Sequence, residues 1–299
     1  MNSIYKIVFF ASILLVILAI IATAVYGLEF GVDFKGGSIL EISFVNPPAG
    51  GRPSIAELTD LIKNIKGVNN ISLTPVGDKD MAIRLNEIDE NNHQEILKAI
   101  SSKFGKIIEN RFDSIGPTIG NELKGKSIAA VIVLLIVIST YIALVFRKMA
   151  KILSPWVMSV ATLIALLHDL IIPIGIFAAL GHFYGVEISA VFVAAILTIL
   201  GYSVSDTVVV FDRVRENVLR YGSTEGFDKL VHRSIMQTLT RSLNTSFTTL
   251  LSLVAIYFFG GETIKYFVLA LIIGIFLGAY SSIFIASPIL VWFSRKKSR

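Results

Sequence analysis

The chain has 299 residues, of which 54% are hydrophobic and 16% are charged, with a formal net charge of +5 and a mean hydropathy of +0.73. A soluble domain of this length cannot bury so much apolar surface, so the composition excludes a soluble globular protein and indicates a membrane protein. The absence of cysteine excludes a disulfide framework and any cysteine-based metal site.

Six stretches are apolar enough for membrane-spanning helices, which need about 20 residues each. They are Ile7–Leu28, Ser127–Phe146, Trp156–Leu180, Ile188–Phe211, Ser242–Phe259 and Tyr266–Trp292. The one long polar segment follows the first of them. We therefore predict a polytopic α-helical membrane protein in three parts: a first transmembrane helix at residues 1–28, a polar domain at 29–124, and a five-helix transmembrane bundle at 125–299 with a cytoplasmic loop at 212–240.

Lysine and arginine residues are concentrated on the cytoplasmic side of membrane proteins. One side of this chain carries Lys6, Arg147, Lys148, Lys151, the loop from Arg213 to Arg241 and the tail from Arg295, whereas the short loops on the other side contribute only Lys265. We therefore expect both termini in the cytoplasm and residues 29–124 outside. No basic stretch has the interleaved aromatic residues of a nucleic-acid platform, so no nucleic-acid partner is expected.

The first apolar stretch has two interpretations. The triplet Ala22-Thr23-Ala24 fits a signal-peptidase site, and cleavage there would remove the helix. The apolar run continues through Leu28 and is long enough to span the membrane, which favours a retained helix.

Residues 29–124 alternate between strand and helix patterns. The predicted strands are Gly37–Val45, Asn70–Val76, Met81–Asn86 and Ile107–Ile115, and the predicted helices are Ser54–Ile65 and Asn91–Phe104. Ser54 and Glu57 have the spacing of a capping box. The order βαββαβ predicts an extracytoplasmic ferredoxin-like α+β domain between the first and second transmembrane helices, a fold too widespread to name a function. The pair Gly36-Gly37 before the first strand predicts a backbone bend.

Two stripes of polar residues lie inside the predicted fourth and fifth transmembrane helices, where an ionisable group rarely faces lipid. The fourth helix carries Thr198, Tyr202, Ser205 and Asp206 on one face, and the fifth carries Arg241, Thr245, Thr248 and Ser252. Asp206 is expected about 8 Å inside the cytoplasmic end of its helix, where the long Arg241 side chain can reach it. A structural role is the alternative, since the pair could lock two helices together and the hydroxyls could bond their own backbone carbonyls.

A third polar pair, His168 and Asp169, lies near the middle of the third transmembrane helix. Adjacent helical residues point about 100° apart and the other histidines are scattered, so we expect no metal site. A satisfied hydrogen bond between helices is the structural alternative to a role in function.

Two further patterns concern packing. Ala270, Gly274 and Gly278 are spaced as a close-packing face on the sixth transmembrane helix. Phe227–Leu239 has the apolar spacing of an amphipathic segment lying at the cytoplasmic interface.

Four motifs together resemble one known family. They are GVDFKGGS after the first transmembrane helix, HD in the third, GYSVSDTVVVFDRVREN through the fourth and TLTRSLNTS at the start of the fifth. Over essentially the whole chain the sequence is similar to SecF subunits of the bacterial protein-export machinery, in the SecD/SecF family of the resistance-nodulation-division superfamily. One departure is Ser205, since the family usually has asparagine at that position.

This resemblance implies an accessory subunit of the Sec translocon, driven by the proton motive force, that promotes late steps of protein export across the bacterial cytoplasmic membrane together with SecD. The implied partners are SecD, the SecYEG channel and the exported unfolded polypeptide. No internal repeat is visible, so SecD would supply a second helix bundle, and the small-residue face of the sixth helix is a candidate contact with it. The resemblance implies no enzymatic activity and no cofactor besides the proton gradient.

For the site, the resemblance implies that Asp206 and Arg241 form a proton relay. The supporting candidates are Ser205, Tyr202, Thr245, Asp169 and His168. Protonation of Asp206 would let the fourth and fifth helices part and ionisation would hold them together. The resulting shift would move the outer domain, which holds or pulls an emerging polypeptide.

Two other functions stay open at this point. The chain could be half of a proton-coupled small-molecule efflux transporter, although its polar domain leaves little room for a drug pocket. It could also be an intramembrane enzyme that uses His168 and Asp169, although the sequence has no nucleophile elbow, HExxH motif or paired-aspartate protease spacing.

Overall fold

The computed structural model describes residues 3–45, 52–77, 79–147, 154–222 and 225–297. The chain forms two compact units. One consists of Phe30–Ile128 and is called the sheet domain; the other consists of Met1–Glu29 and Ala129–Arg299 and is called the helical unit. Lys148 and Lys151 of the predicted basic cluster lie outside the described residues.

One four-stranded antiparallel sheet organises the sheet domain. After helix α1 (Ser3–Tyr26) of the helical unit, the elements are α2 (Val32–Lys35), β1 (Gly37–Phe44), α3 (Ile55–Lys63), β2 (Ser72–Val76), β3 (Asp80–Leu85), α4 (Glu90–Phe104) and β4 (Ile107–Ile115). The strand order is β2-β3-β1-β4, and every neighbouring pair is antiparallel. This is the order of a ferredoxin-like unit, so the predicted domain fold is confirmed. The four-residue helix α2 is not indicated by the sequence patterns.

The core of the sheet domain joins one face of the sheet to α3 and α4. Residues of β1 alternate between faces, so Leu40, Ile42 and Phe44 point into the core together. The helices contribute Leu58, Ile62, Ile96 and Ile100, all of them fully buried. The alternation along β1 and the helical spacing of α3 and α4 are therefore what fold the domain.

The predicted capping box at the start of α3 is formed. The Ser54 hydroxyl accepts a hydrogen bond from the Glu57 amide at 3.2 Å, and the Ser54 amide donates to the Glu57 carboxylate at 3.1 Å. The Ser54 hydroxyl also donates to this carboxylate at 2.8 Å and lowers the pKa of Glu57. The stabilisation is present above the ordinary carboxylate pKa and is lost as the pH falls through the lowered value.

Gly36 and Gly37 form the backbone bend that the sequence predicts. Both have positive φ, +78° and +123°. A Cβ atom on Gly36 would lie 2.7 Å from the Cα of Pro117, and one on Gly37 would lie 2.7 Å from the carbonyl oxygen of Leu85. Only glycine fits both the backbone angles and the space.

We expect Gly37→Ala to destabilise the sheet domain by about 2 kcal/mol, because it combines an unfavourable φ with a backbone clash. The matched control is Gly105→Ala, where φ is +88° but nothing lies within 4 Å of the added carbon. The control should cost only about 1 kcal/mol. Amide hydrogen exchange of β1 in the full-length protein measures both values, and equal costs would contradict the clash.

In the part of the chain that the structure describes, six helical spans are long and apolar enough to cross a membrane. They are α1, α5 (Pro117–Val145), α6 (Pro155–Tyr184), α7 (Ala190–Tyr221), α8 (Phe227–Phe259), and α9 (Glu262–Ser281) continued by α10 (Ser287–Lys297). The predicted number and order of spans are confirmed. Their ends differ because polar turns prolong several helices past the apolar runs, as at the start of α5, where Pro117 suits a first helical turn.

The segment 212–240, predicted as a cytoplasmic loop between two spans, is mostly helical. Helix α7 continues to Tyr221 and α8 begins at Phe227, and residues 223–224 between them lie outside the described part of the chain. Ion pairs one helical turn apart, such as Arg213 with Glu216 at 2.7 Å, support the polar end of α7.

The segment Phe227–Leu239 was predicted to be an amphipathic segment at the cytoplasmic interface. In the structure it forms the first part of α8. Its apolar residues Leu230, Val231 and Ile235 are buried in the helical unit. Asn217 of α7 donates a hydrogen bond to the Ser234 hydroxyl of α8 at 2.8 Å. Packing of this apolar face within the chain explains the difference.

A π-helical turn, Ser282–Ala286, joins α9 to α10. The amide and the hydroxyl of Ser287 both donate to the carbonyl of Ser282, five residues earlier. Pro288 follows at once, and its ring would clash with the carbonyl of residue 284 in a regular α-helix. The proline accounts for the widened turn.

Small residues allow close helix contacts. A Cβ on Gly274 would clash with Ile199 of α7, and one on Gly278 would lie 2.9 Å from the Cβ of Ser203. The predicted close-packing face is therefore confirmed, but α7 of the same chain occupies it, so the expectation that it contacts SecD is wrong. Likewise α1 approaches α6 where Gly175 meets Ala19.

Candidate functional site

Asp206 lies on the face of α7 that packs against α8. Its side chain is only 8% exposed, and Ser242 of α8 donates a hydrogen bond to its Oδ1 atom at 2.8 Å. The other oxygen, Oδ2, is buried without a hydrogen-bond partner among the described residues. Such an oxygen can carry a proton in the neutral group, or accept a donor that moves towards the ionised one.

Arg241 of α8 is exposed. Within the described ranges no ion pair joins the side chains of Arg241 and Asp206. Ser242, the next residue along α8, donates a hydrogen bond to Asp206 instead. Arg241 instead lines an open cavity of about 240 Å³ with Val208, Val209, Asp212, Arg213, Glu216, Gln237 and Thr238. The expected contact between Asp206 and Arg241 is not formed in this structure.

The polar face that α8 turns inward is offset from the predicted stripe. The buried hydroxyls are those of Ser234, Thr238, Ser242 and Ser246, each four residues apart. The predicted stripe of Arg241, Thr245, Thr248 and Ser252 is exposed. Its hydroxyls donate to backbone carbonyls one turn earlier, as Thr245 does to Arg241 at 3.0 Å. These exposed hydroxyls therefore fit the structural alternative.

The other residues of the predicted polar stripe on α7 do not surround Asp206. Ser205 and Thr198 are exposed, and the Thr198 hydroxyl donates to the carbonyl of Ala194 at 2.8 Å. The Tyr202 hydroxyl donates to Ser246 of α8 at 3.5 Å. Among these residues only Tyr202 links α7 to α8.

His168 and Asp169 contact each other, contrary to the prediction that they point apart. The His168 Nδ1 atom lies 2.8 Å from Asp169 Oδ1, because both side chains turn towards the same buried space. Asp169 is completely buried, and its Oδ2 accepts hydrogen bonds from Ser203 of α7 at 2.6 Å and Ser281 of α9 at 2.7 Å. This carboxylate ties three helices together.

The hydrogen bonds continue from His168 to α1. The His168 Nε2 atom lies 2.7 Å from the Tyr280 hydroxyl of α9. The Tyr280 hydroxyl lies 3.2 Å from the Ser12 hydroxyl of α1. We call the connected side chains the buried network: Ser12, Tyr280, His168, Asp169, Ser203 and Ser281. It joins α1, α6, α7 and α9.

Several of these contacts are missed by reasoning from the sequence. Ser242 differs by one position from the predicted stripe. Ser203 has a usable signal, because it lies three residues before Asp206 and therefore on the same side of α7. Tyr280 and Ser281 lie in a span without polar periodicity, so nothing in their spacing indicates a partner.

The chain also matches known proteins. A family model described as protein export membrane protein SecD/SecF, C-terminal, matches residues 95–296. The chain belongs to the SecD/SecF family. A second model, the SecD/SecF GG motif, matches residues 21–48, which include the Gly36-Gly37 bend. The first SecD/SecF match contains Asp206 and all of the buried network except Ser12.

Relatives within the SecD/SecF family cover nearly the full chain. Protein translocase subunit SecF of Thermobaculum terrenum is 43% identical, with 95% of this chain and 90% of that protein covered. The SecF subunit of Anaerolinea thermophila is 37% identical, with 96% and 94% covered. The crystal structure of SecDF from Thermus thermophilus, a translocon-associated membrane protein, is 33% identical and superposes with a TM-score of 0.79; the match covers 99% of this chain but only 38% of that one.

Proposed function

We propose that the chain is an accessory subunit of the Sec translocon that uses the proton motive force to promote late steps of protein export together with SecD. The observation that carries the proposal is Asp206, a buried carboxylate with one unpartnered oxygen in a helix long enough to span a membrane. The relatives described above are translocase subunits, which favours transport over catalysis and export over small-molecule efflux.

The physical basis is the cost of a charge inside a membrane. An ionised Asp206 keeps one hydrogen bond from Ser242, and its second oxygen needs a donor. A bound proton removes this need by making the carboxyl group neutral. Movement of the Arg241 side chain from the adjacent cavity would instead supply a donor to the ionised group, so proton uptake and release would alternate two arrangements of α7 and α8.

The membrane potential supplies enough energy to change the arrangement of α7 and α8. Each elementary charge that crosses the membrane releases about 2.3 kcal/mol per 100 mV, which is comparable to the few kcal/mol that separate two conformations of a protein. The proton gradient is the only cofactor that this proposal requires.

A second chain would pack against the helical unit. The match covers only 38% of the Thermus SecDF chain, so that protein contains far more than this chain. Arg241 and Ser205 are exposed at helices that would lie in the membrane, where polar residues seldom face lipid. SecD would cover this face, with SecYEG and the unfolded polypeptide as further partners.

The proposed orientation follows the basic residues. Both termini lie in the cytoplasm and the sheet domain lies outside, where it meets the emerging polypeptide. Protons would then reach Asp206 from the outer side of the bacterial cytoplasmic membrane.

Asp206→Asn in inverted membrane vesicles tests the proposal. The amide keeps the shape and a hydrogen-bond acceptor for Ser242 but cannot exchange a proton, so export should stop responding to an imposed gradient while assembly with SecD persists. The matched control is Glu225→Gln, which removes an ion pair with Arg233 at 3.0 Å outside the cavity of Arg241 and should leave the response intact. A full response in the Asp206 variant would refute the mechanism.

A further inference from the structure

Helix α1 leads directly into the sheet domain, and one buried hydroxyl connects its centre to the rest of the helical unit. In the apolar run from Ile7 to Ile21, Ser12 is the only polar residue. It is 3% exposed, and its hydroxyl meets that of Tyr280. The other close contacts of α1 are apolar or lie near its ends. Ser12 is therefore the residue through which a hydrogen bond can couple the middle of α1 to the rest of the helical unit.

With a proton on His168 Nδ1 and none on Nε2, every hydrogen bond of the buried network has a donor and an acceptor. Asp169 accepts from Ser203 and Ser281 on one oxygen and from His168 Nδ1–H on the other. In this tautomer the Nε2 atom of His168 accepts from the Tyr280 hydroxyl. The Tyr280 oxygen in turn accepts from Ser12. The bonds of this pattern run from Ser203 of α7 and Ser281 of α9 through the histidine–aspartate pair of α6 to Tyr280 and then to Ser12 of α1.

The network ends beside the proposed proton site. Ser203 and Asp206 are three residues apart on α7 and lie on neighbouring positions of one face. A helix is stiff over one turn, so a shift of α7 at Asp206 also displaces the Ser203 hydroxyl. The π-helical turn begins directly after Tyr280 and Ser281, where α9 is less regular than its neighbours.

We propose that the buried network transmits the protonation state of Asp206 in α7 to the position of α1, with Tyr280 and Ser12 as positioning residues. The inference rests on the proposed function. It identifies which contacts carry the movement towards the sheet domain, and it gives the histidine–aspartate pair a role distinct from proton exchange at Asp206.

The absence of cysteine makes a direct measurement possible. Tyr26 and His182, at the C-terminal ends of α1 and α6, stack with ring centroids 4.7 Å apart, and both side chains are exposed. The variant with Tyr26→Cys and His182→Cys, assembled in membranes, is crosslinked with a short bismaleimide. The rate reports the position of α1 against α6.

The rate is measured in a double-mutant cycle of Asp206→Asn with Tyr280→Phe. Asp206→Asn alone should change the rate about fivefold, the factor that one neutral hydrogen bond supports. In the Tyr280→Phe background, which keeps the ring but removes the linking hydroxyl, this change should disappear. Tyr266→Phe, an exposed tyrosine on the same helix, should leave it intact.

Ser12→Ala repeats the test at the other end of the link and leaves the histidine–aspartate pair untouched. Loss of the response in both Tyr280→Phe and Ser12→Ala supports the inference. An equal response to Asp206→Asn in every background overturns it while the proposed function stands. No response in any background also overturns it, and the export assay then decides the proposed function separately.

Discussion

Asp169→Ala should prevent stable folding of the helical unit, with a loss of about 3–5 kcal/mol. The carboxylate accepts hydrogen bonds from His168, Ser203 and Ser281, and it is completely buried. Alanine leaves these donors in a dry interior with no acceptor, and each unsatisfied group carries its full desolvation cost. No other single side chain in the described helices receives hydrogen bonds from as many neighbouring helices.

Asp169→Asn is the matched variant for this prediction. Its amide oxygen can still accept from the serines, so it should retain part of the stability that alanine loses. The measurement is the recovery of folded protein in mild detergent together with its thermal unfolding. If the alanine variant proved as stable as the asparagine variant, the carboxylate would not be the centre of the network.

Gly175→Ala should displace α1 from α6. The added carbon would lie 2.5 Å from the Cα of Ala19, which is backbone and cannot rotate away. Overpacking of this kind typically costs about 1–3 kcal/mol. Helix contacts in membranes depend on such small residues because burial of apolar surface contributes little there.

The control for Gly175→Ala is Gly201→Ala in α7, where nothing lies within 4 Å of the added carbon. It should be neutral or slightly stabilising, since alanine favours helix more than glycine does. Each glycine variant is combined with Tyr26→Cys and His182→Cys, and the rate of bismaleimide crosslinking then measures the separation of α1 and α6. Equal rates in both glycine variants would show that α1 does not depend on this contact.

The architecture could be predicted because it depends on composition over long windows. Six apolar stretches of sufficient length and one polar segment define the order of the spans. The sheet domain followed from two periodicities and from local signals such as the Ser54 cap. The ends of the helices could not be predicted in the same way. The polar residues that form ion pairs along α7 have low hydropathy, and a hydropathy pattern does not distinguish them from a loop.

The site was predictable only in part. An aspartate in an apolar helix stands out in the sequence, and Asp206 is indeed buried. Its partner could not be deduced, since Arg241 and Ser242 are adjacent and only the rotation of α8 decides which of them meets α7. The same holds for Asp169, whose partners come from α7 and α9 through tertiary packing that no spacing within α6 encodes.

The widened turn at Ser282–Ala286 has a bearing on how the last span can vary in length. A π turn accommodates one residue more than regular α geometry. Deleting a single residue there would convert the turn to regular α-helix, and the residues of α10 would keep facing the same side. The same deletion within a regular α-helix would rotate all following residues by about 100° around the helix axis.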